Sequence, residues 1–153
     1  LFTASIFESR YKGGDDIWRD TRLNRRFLIN ALGGKEWMVG KRKQNVLSLN
    51  ISASLQGGER YTPVDEEATT EQGKVVHDDD HAYEKQLSPA LVTNFTVSYK
   101  INKKSVAHLF ALKLINATGY KEYGGFDFNI RTKKAEMYRS SVVMPNISYK
   151  IEF

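Results

Sequence analysis

The sequence predicts an all-β fold, an antiparallel up-and-down meander of about six long strands that forms part of a large transmembrane β-barrel. Three observations support this prediction. Apolar and polar residues alternate along several segments, a short motif recurs near two strand ends, and the connections are long on one side and shorter on the other. Because successive side chains of a strand point to opposite faces, the alternation indicates a sheet with one apolar and one polar face.

The first three candidate strands differ in regularity. Residues 1–12 and 22–33 are marked by aromatic and aliphatic residues but alternate irregularly. Residues 46–56 alternate cleanly, with Leu47 and Leu49 on the side opposite the serines and asparagine of the segment. All three segments are therefore predicted as strands, the third on the strongest pattern.

The last three candidate strands carry the clearest pattern. Residues 91–102 alternate regularly, whereas residues 105–116 do so loosely because His108 interrupts their apolar side. The last thirteen residues, 141–153, are the most regular segment of the chain. The apolar positions that we expect to serve the barrel are Val97, Tyr99 and Ile101 in one segment and Ile147, Tyr149, Ile151 and Phe153 in the last.

A five-residue motif occurs twice. Residues 97–101 (Val-Ser-Tyr-Lys-Ile) match residues 147–151 (Ile-Ser-Tyr-Lys-Ile) almost residue for residue. In an up-and-down sheet, strands four and six run in the same direction, so both tyrosines fall at the same end. Aromatic side chains at one depth are typical of the belt at a membrane interface. We assign Trp37, on the shorter-connection side, to the same belt.

The predicted connections are asymmetric. Residues 34–43 and 102–104 are the shorter ones, and residues 13–16, 57–88 and 118–140 lie on the other side, where two of the three are long. Outer-membrane barrels have long extracellular loops and short periplasmic turns. A structureless loop of thirty residues would count against a compact soluble domain.

Composition excludes several other classes of protein. The 153 residues are 41% hydrophobic and 12% aromatic, which is too apolar for a disordered chain. The sequence has no cysteine, so it holds neither a disulfide nor a cysteine-built zinc site. No apolar run approaches the length of about 18 residues that predicts a membrane-spanning helix.

The net charge of +5 conceals an uneven distribution. Residues 65–84 hold eight acidic residues against one lysine, a charge of −7, so the rest of the chain carries +12. The clearest basic clusters are short, Lys41-Arg42-Lys43 and Lys103-Lys104, and lie at breaks between apolar stretches. Turns belong at such breaks, and no continuous basic face emerges, so no nucleic-acid partner is expected.

No motif predicts catalysis or a cofactor. Residues 77–81 (His-Asp-Asp-Asp-His) permit two interpretations: a divalent-cation site formed by His77, Asp79 and His81, or a solvated acidic loop tip, which the non-specific spacing favours. His108 has no partner in the sequence pattern that would make it a catalytic base. Phosphate loops, nucleophile elbows and zinc-protease motifs are all missing, so an enzyme is not expected.

Several aromatic residues lie at or beyond the ends of the predicted strands, outside the belt positions. Two roles stay open for them, contact with the bilayer interface or contact with a ligand in the long loops. These residues are Trp18, Tyr61, Tyr120, Tyr123 and Phe126.

Three motifs carry a resemblance to a known family. The chain resembles the C-terminal end of a TonB-dependent outer-membrane receptor of the type found in Bacteroidetes-like bacteria. The terminal stretch 147–153 is similar to the outer-membrane C-terminal signature, alternate apolar residues ending in an aromatic one. Residues 114–123 resemble the penultimate-strand motif, although Ala-Thr-Gly stands where many members have an Asn-Leu-Phe-like stretch. Residues 57–63 (Gly-Gly-Glu-Arg-Tyr-Thr-Pro) are similar to a loop entry of that branch.

The resemblance implies a location, a function and partners. Residues 1–153 would be the C-terminal part of the barrel in the bacterial outer membrane, with the plug domain and the N-terminal barrel strands outside this stretch. The receptor would import a scarce nutrient, an iron chelate, a cobalamin or a glycan, with energy from the TonB complex. Its other partners would be outer-membrane lipid and the barrel-assembly machinery. Two alternatives stay open, a passive porin-like barrel and a soluble β-barrel that binds a small apolar ligand.

Overall fold

Six strands form one antiparallel sheet in the computed structural model, which describes residues 1–153. Three two-stranded hairpins lie outside it. In chain order the elements are β1 (Phe2–Ile6), β2 (Arg10–Lys12), β3 (Trp18–Asp20), β4 (Phe27–Val39), β5 (Asn45–Gln56), β6 (Arg60–Tyr61), α1 (Glu66–Gln72), a 3-10 turn (Asp79–His81), β7 (Lys85–Gln86), β8 (Ala90–Asn102), β9 (Ala107–Ile115), β10 (Glu122–Asn129), β11 (Lys134–Ser140) and β12 (Met144–Glu152).

The large sheet is an up-and-down meander. Its strand order is β1-β4-β5-β8-β9-β12, and each strand pairs antiparallel with the next. The predicted all-β class and the six-stranded antiparallel sheet are therefore confirmed. The sheet is open, because β1 and β12 are its two edges.

Some strand boundaries differ from the predicted ones. Residues 34–39, expected within a connection, are strand, because β4 continues to Val39 and Trp37 pairs with Leu47. A glycine pair at 33–34 is a turn signal in sequence, but here it serves strand packing. A Cβ on Gly34 would overlap the present position of the Asn50 side-chain oxygen on β5, so a larger residue there would require the Asn50 side chain to move.

The first predicted strand, residues 1–12, was also too long. Only Phe2–Ile6 joins the sheet, where it pairs with the first part of β4. Residues 10–12 pair with residues 18–20 in a separate hairpin, whose turn contains Gly13 and Gly14.

The connections divide into two ends of the sheet, as the sequence predicts. Two short turns, residues 40–44 and 103–106, lie at one end. Loop A (7–26), loop B (57–89) and loop C (116–143) lie at the other. Each long loop has its own secondary structure: β2 and β3 in loop A, β6, α1 and β7 in loop B, and β10 and β11 in loop C.

The helix in loop B is short and capped at both ends. Asp65 is its N-cap, and its carboxylate accepts a hydrogen bond of 2.9 Å from the amide of Ala68. Gly73 ends the helix with φ 65°, a conformation that glycine adopts without strain. The sequence pattern does not predict this helix.

The apolar face of the large sheet is not covered by any other layer. Only eight of the 153 residues are buried, and two of these, Leu87 and Ala90, are hydrophobic. The accessible surface is 10841 Å², whereas a compact monomer of this mass would expose about 7,900 Å². The apolar side chains of β8, β9 and β12 contribute to this excess, and Ile147 is 83% exposed.

The packed part of the molecule lies at the long-loop end. Ser48 is the one buried residue in the middle of the sheet. The other buried residues belong to loops A and B or to the start of β8: Asn24, Gly57, Gly58, Arg60, Thr69, Leu87 and Ala90.

The opposite face of the sheet carries hydrogen-bonded polar side chains. Ser48 donates to Glu36 over 3.1 Å, and Asn94 donates to Ser52 over 3.1 Å. Near the short turns, Lys100 of β8 reaches across β9 to Glu152 of β12, with 2.6 Å between the charged atoms. Polar groups on this face therefore find partners on neighbouring strands.

Candidate functional site

A row of large side chains crosses the apolar face near the short turns. The register aligns Trp37, Leu47, Tyr99, Phe110 and Tyr149 on five consecutive strands. Residues directly opposite in a sheet share a face, so the two tyrosines of the repeated motif lie at one depth, as the sequence predicts.

The hydroxyl groups of the two tyrosines in this row have hydrogen-bond partners on neighbouring strands or at their ends. The hydroxyl of Tyr99 accepts a hydrogen bond of 3.1 Å from the amide of Asn45. The hydroxyl of Tyr149 lies 2.8 Å from Nδ1 of His108, and the two rings are stacked. His108, which interrupts the apolar pattern in the sequence, therefore has a structural partner in the row. The ring of Phe110 packs 4.8 Å from that of Tyr149.

The other predicted belt residues flank this row on the same face. Val97 lies opposite Leu112, which also faces Ile147. On the other side of the row, Ile101 and Ile151 both pair with His108. Phe153 follows the last paired residue and is fully exposed.

At the opposite end, the segment 57–62 organises loops A and B. The amide of Gly57 donates to the carbonyl of Phe27 over 3.0 Å. A Cβ on Gly57 would overlap the carbonyl oxygen of Arg25, and a Cβ on Gly58 would overlap that of Leu87. The two glycines thus let three backbone segments approach closely.

Glu59 clamps loop A with two arginines. Its carboxylate accepts hydrogen bonds from Arg22 and, over 3.2 Å, from Arg25. The hydrogen bond and charge of Glu59 raise the pKa of the Arg22 guanidinium. Such paired charges hold the start of loop B against the end of loop A.

Arg60 is the buried cation between the loops, with a side chain only 7% exposed. Its Nη1 lies 2.9 Å from a carboxylate oxygen of Asp20 and donates to the carbonyls of Tyr83 (3.3 Å) and Glu84 (3.1 Å). Its Nε donates to the carbonyl of Asn24 over 3.3 Å. A buried charge requires such compensation, so Arg60 of β6 ties loop A to the segment of loop B just before β7.

Asn24 extends this network into the first hairpin. Its side chain is fully buried, accepts a hydrogen bond of 3.1 Å from the amide of Ser9 and donates to Asp20 over 2.6 Å. Loop A is therefore held in shape by the same carboxylate that pairs with Arg60.

An aromatic cluster joins loop B to loop C. Tyr61 packs 5.7 Å from both Tyr123 and Phe126 of β10, and the last two rings lie 6.0 Å apart. His77 meets the edge of Phe126 at 6.1 Å. Burial raises the pKa of the Tyr123 phenol, because the charged form would lose water.

These three loops enclose a cleft of about 360 Å³ at the long-loop end, a size within the range of small-molecule sites. Guanidinium, hydroxyl, imidazole and carboxylate groups face it beside aromatic rings. Arg22 and Arg60 are both paired with carboxylates, so the cleft suits a polar ligand with flat apolar faces rather than a simple anion. Its lining residues are Arg22, Arg60, Tyr61, Thr62, His77, Asp79, Tyr83, Tyr123, Gly124 and Gly125.

A second, more open cleft adjoins the first. It measures about 490 Å³ and shares Thr62, Asp79 and Tyr83 with it. Arg19 lines this cleft and lies 2.6 Å from Asp15, whose pKa is lowered by the amide of Ile17 and by Arg19. The Nε of Arg19 is buried without a hydrogen-bond partner.

The structure does not bring the predicted cation ligands together. His77 and Asp79 line the first cleft, whereas His81 lies outside it and pairs with Asp78 at 2.7 Å. No group of three or more histidine, aspartate or glutamate side chains is arranged to hold a metal ion. The interpretation of His77, Asp79 and His81 as one cation site therefore finds no geometric support.

Sequence reasoning found part of this site and missed its centre. Tyr61 and Tyr123, for which ligand contact was one of two open roles, line the first cleft. The roles of Arg22, Arg60 and Tyr83 were not predicted. Of these three, only Arg60 lies in the family-like segment 57–63.

Comparison with protein-family models, curated proteins and solved structures found no match for the chain. No helix of the structure has both the length and the apolar character needed to cross a bilayer.

Replacement of Arg60 tests the loop network. Arg60→Met removes the cation that compensates Asp20 and leaves three carbonyl groups without a donor, so loops A and B should be destabilised by about 3–5 kcal/mol. Hydrogen exchange should accelerate in residues 7–26 and 57–89 but not in β5 or β8. Arg42→Met, in an exposed turn, is the matched control and should change neither loop. Unchanged exchange in loop A of Arg60→Met would contradict this role.

Titration of Tyr123 tests the aromatic cluster. Its folded-state pKa is raised above the value of about 10 for an exposed tyrosine. Its contribution to stability is therefore fully present below about pH 10 and is lost as the pH rises through the folded pKa. The phenolate absorbance of the wild type minus that of Tyr123→Phe should show a midpoint above that of N-acetyltyrosinamide in the same buffer. A midpoint at or below that of the free compound would show that the ring is not buried.

Proposed function

We propose that residues 1–153 form part of the wall of an outer-membrane β-barrel receptor that imports a scarce nutrient with energy from the TonB complex. The observation that carries the proposal is the uncovered apolar face of the sheet, bordered by the aromatic row. A water-exposed face of this composition would be an aggregation hazard. In a bilayer it contacts lipid, and the hydrogen-bonded polar face lines the interior of the barrel.

The dimensions of the apolar face support a membrane position. On β8 its side chains extend from Leu91 to Ile101, a separation of ten residue rises or about 34 Å along the strand. With the usual tilt of membrane strands, this corresponds to about 24–28 Å along the membrane normal, close to the apolar band of known barrels at about 25 Å.

The open edges support a larger barrel. Backbone groups in lipid must all be hydrogen-bonded, so an open six-stranded sheet cannot span a membrane by itself. Barrels of outer-membrane type need about eight strands or more. Further strands would pair with β12 and with the free edge of β4 beyond its short pairing with β1.

The receptor part of the proposal rests on the resemblance and on the loop end. The segment 57–63, one of the three family-like motifs, contains the residues that hold loops A and B together and line the first cleft. Folded loops with a cleft of about 360 Å³ offer an incoming solute a preformed contact surface. The cargo would be an iron chelate, a cobalamin or a glycan.

A pair of neighbouring substitutions on β8 tests the membrane position. Val97 lies between Leu49 and Leu112 on the apolar face, and Ser98 lies between Ser48 and Ala111 on the polar one. In the full barrel that contains residues 1–153, Val97→Arg should lower the free energy of unfolding in lipid vesicles by about 2–4 kcal/mol. This is the cost of an arginine facing lipid near the bilayer midplane. Ser98→Arg should lower the free energy of unfolding far less, because Ser98 lies on the polar face. The measurement is urea unfolding of both variants in vesicles.

Two results would contradict the proposal. One is a complete chain that stays dispersed in detergent-free buffer and gains no stability from lipid, as a soluble barrel with an apolar interior would. The other is equal destabilisation by the two arginines. A steady open conductance of the reconstituted chain would instead identify a passive porin, since a plugged receptor keeps the bilayer closed.

A further inference from the structure

The two short turns form one continuous rim. The side chain of Asn102, at the end of β8, donates to the carbonyl of Gln44 over 2.6 Å. The amide of Asn102 also donates to the side chain of Asn45 over 3.2 Å. Because β5 and β8 are neighbours in the sheet, these bonds hold the end of turn 40–44 against the end of β8, where turn 103–106 begins.

This rim gathers five cations that are separate in the sequence. All five are exposed, none takes part in a salt bridge, and neither turn contains an acidic residue. Two acidic residues of the strands already have partners on the polar face, Glu36 with Ser48 and Glu152 with Lys100 and Lys150. The five cations of the rim are Lys41, Arg42, Lys43, Lys103 and Lys104.

The rim lies just beyond the aromatic row of the apolar face. Lys103 follows Tyr99 by four residues, which is about 10 Å along the membrane normal for a tilted strand. Lys35, on the apolar face itself, places its ammonium group 5.7 Å from the ring centre of Trp37. Lys35 lies in the row of Val97, so its long side chain extends from the apolar band toward the rim, as basic side chains facing lipid do.

We propose that this rim binds the phosphates of anionic phospholipid headgroups in the leaflet on the short-turn side. The inference rests on the proposed membrane position. Five unpaired cations at the border of an apolar band meet a layer of negative charge there, and each contributes to association with anionic lipid. The acidic window 65–84 lies in loop B, at the opposite end of the sheet.

Continuity with the apolar face favours lipid over a dissolved polyanion. A nucleic acid would need a groove of basic and aromatic side chains along its backbone. Here the aromatic side chains next to the rim lie on the apolar face with the aliphatic ones. Only a molecule with an apolar body and an anionic head matches both surfaces at once.

The test compares lipid preference in matched variants of the complete chain, reconstituted in phosphatidylcholine bilayers. Spin-labelled phosphatidylglycerol and phosphatidylcholine report which lipid the protein retains beside it. The test variant K41Q/R42Q/K43Q removes three charges from the rim. The control R131Q/K133Q/K134Q removes three exposed charges from the β10–β11 turn at the other end.

The wild type and the control should retain phosphatidylglycerol in clear preference to phosphatidylcholine. Each basic residue near an anionic surface raises the association constant about fivefold. The preference of the rim variant for phosphatidylglycerol should therefore be at least about tenfold lower than that of the wild type. Raised salt should weaken the preference of the wild type, because exposed charges are screened.

Three results would overturn the inference. The first is an inserted wild type without preference for phosphatidylglycerol, and the second is an equal loss in the rim variant and the control. The third is a rim that binds a single-stranded oligonucleotide while showing no lipid preference. A chain that does not enter bilayers at all would overturn the proposed membrane position as well. Failure of lipid binding by the rim is therefore distinguishable from failure of the membrane position.

Discussion

The structure depends on one constraint, the segregation of apolar and polar side chains by the alternation of long antiparallel strands. Backbone hydrogen bonds fix the register from β4 to β12, and the register decides which side chains share a row. Once Leu49, Val97 and Leu112 lie in one row, the serines beside them must lie on the other face. Nothing in residues 1–153 covers the apolar side, which is the observation behind the proposed membrane position.

The loop end is built on a different principle. Its buried residues are mostly polar or glycine, and hydrogen bonds to Arg60 and Asn24 replace a hydrophobic core. A buried guanidinium with a carboxylate and three carbonyl partners tolerates little rearrangement, because removal of any partner leaves a polar group uncompensated. The sheet therefore supplies the scaffold, and the network of Arg60 gives the loops a defined shape above it.

The sequence predicted the sheet well because period-two alternation is local. Residues 46–56 and 91–102 became β5 and β8 with little change in their bounds. The error at residues 34–43 came from Gly34, which carries a turn signal in sequence but lies inside β4, opposite Asn50 of β5. Pairing with a residue that is distant in the chain cannot be predicted from the local pattern of a single sequence.

The site at the loop end was harder to predict for the same reason. Arg60 acquires its role from Asp20, Asn24 and Tyr83, which lie 40, 36 and 23 positions away in the chain. The acidic run at 77–81 drew attention to a metal ion, yet the structure separates His81 from His77 and Asp79. The aromatic residues of loops B and C gave a truer signal, because Tyr61 and Tyr123 do meet at the cleft.

The apolar face of β8 offers the most direct test of the account. Residues 1–153 contain no cysteine, so single cysteines at positions 91 to 102 of the proposed full barrel can each carry a spin label once any cysteine outside this stretch has been replaced. In lipid bilayers, the collision rate of the spin label with oxygen should be highest at odd-numbered positions, which face lipid. Its collision rate with a water-soluble nickel complex should be highest at even-numbered positions. A loss of this alternation, a reversed phase, or the same pattern without lipid would contradict a lipid-facing sheet.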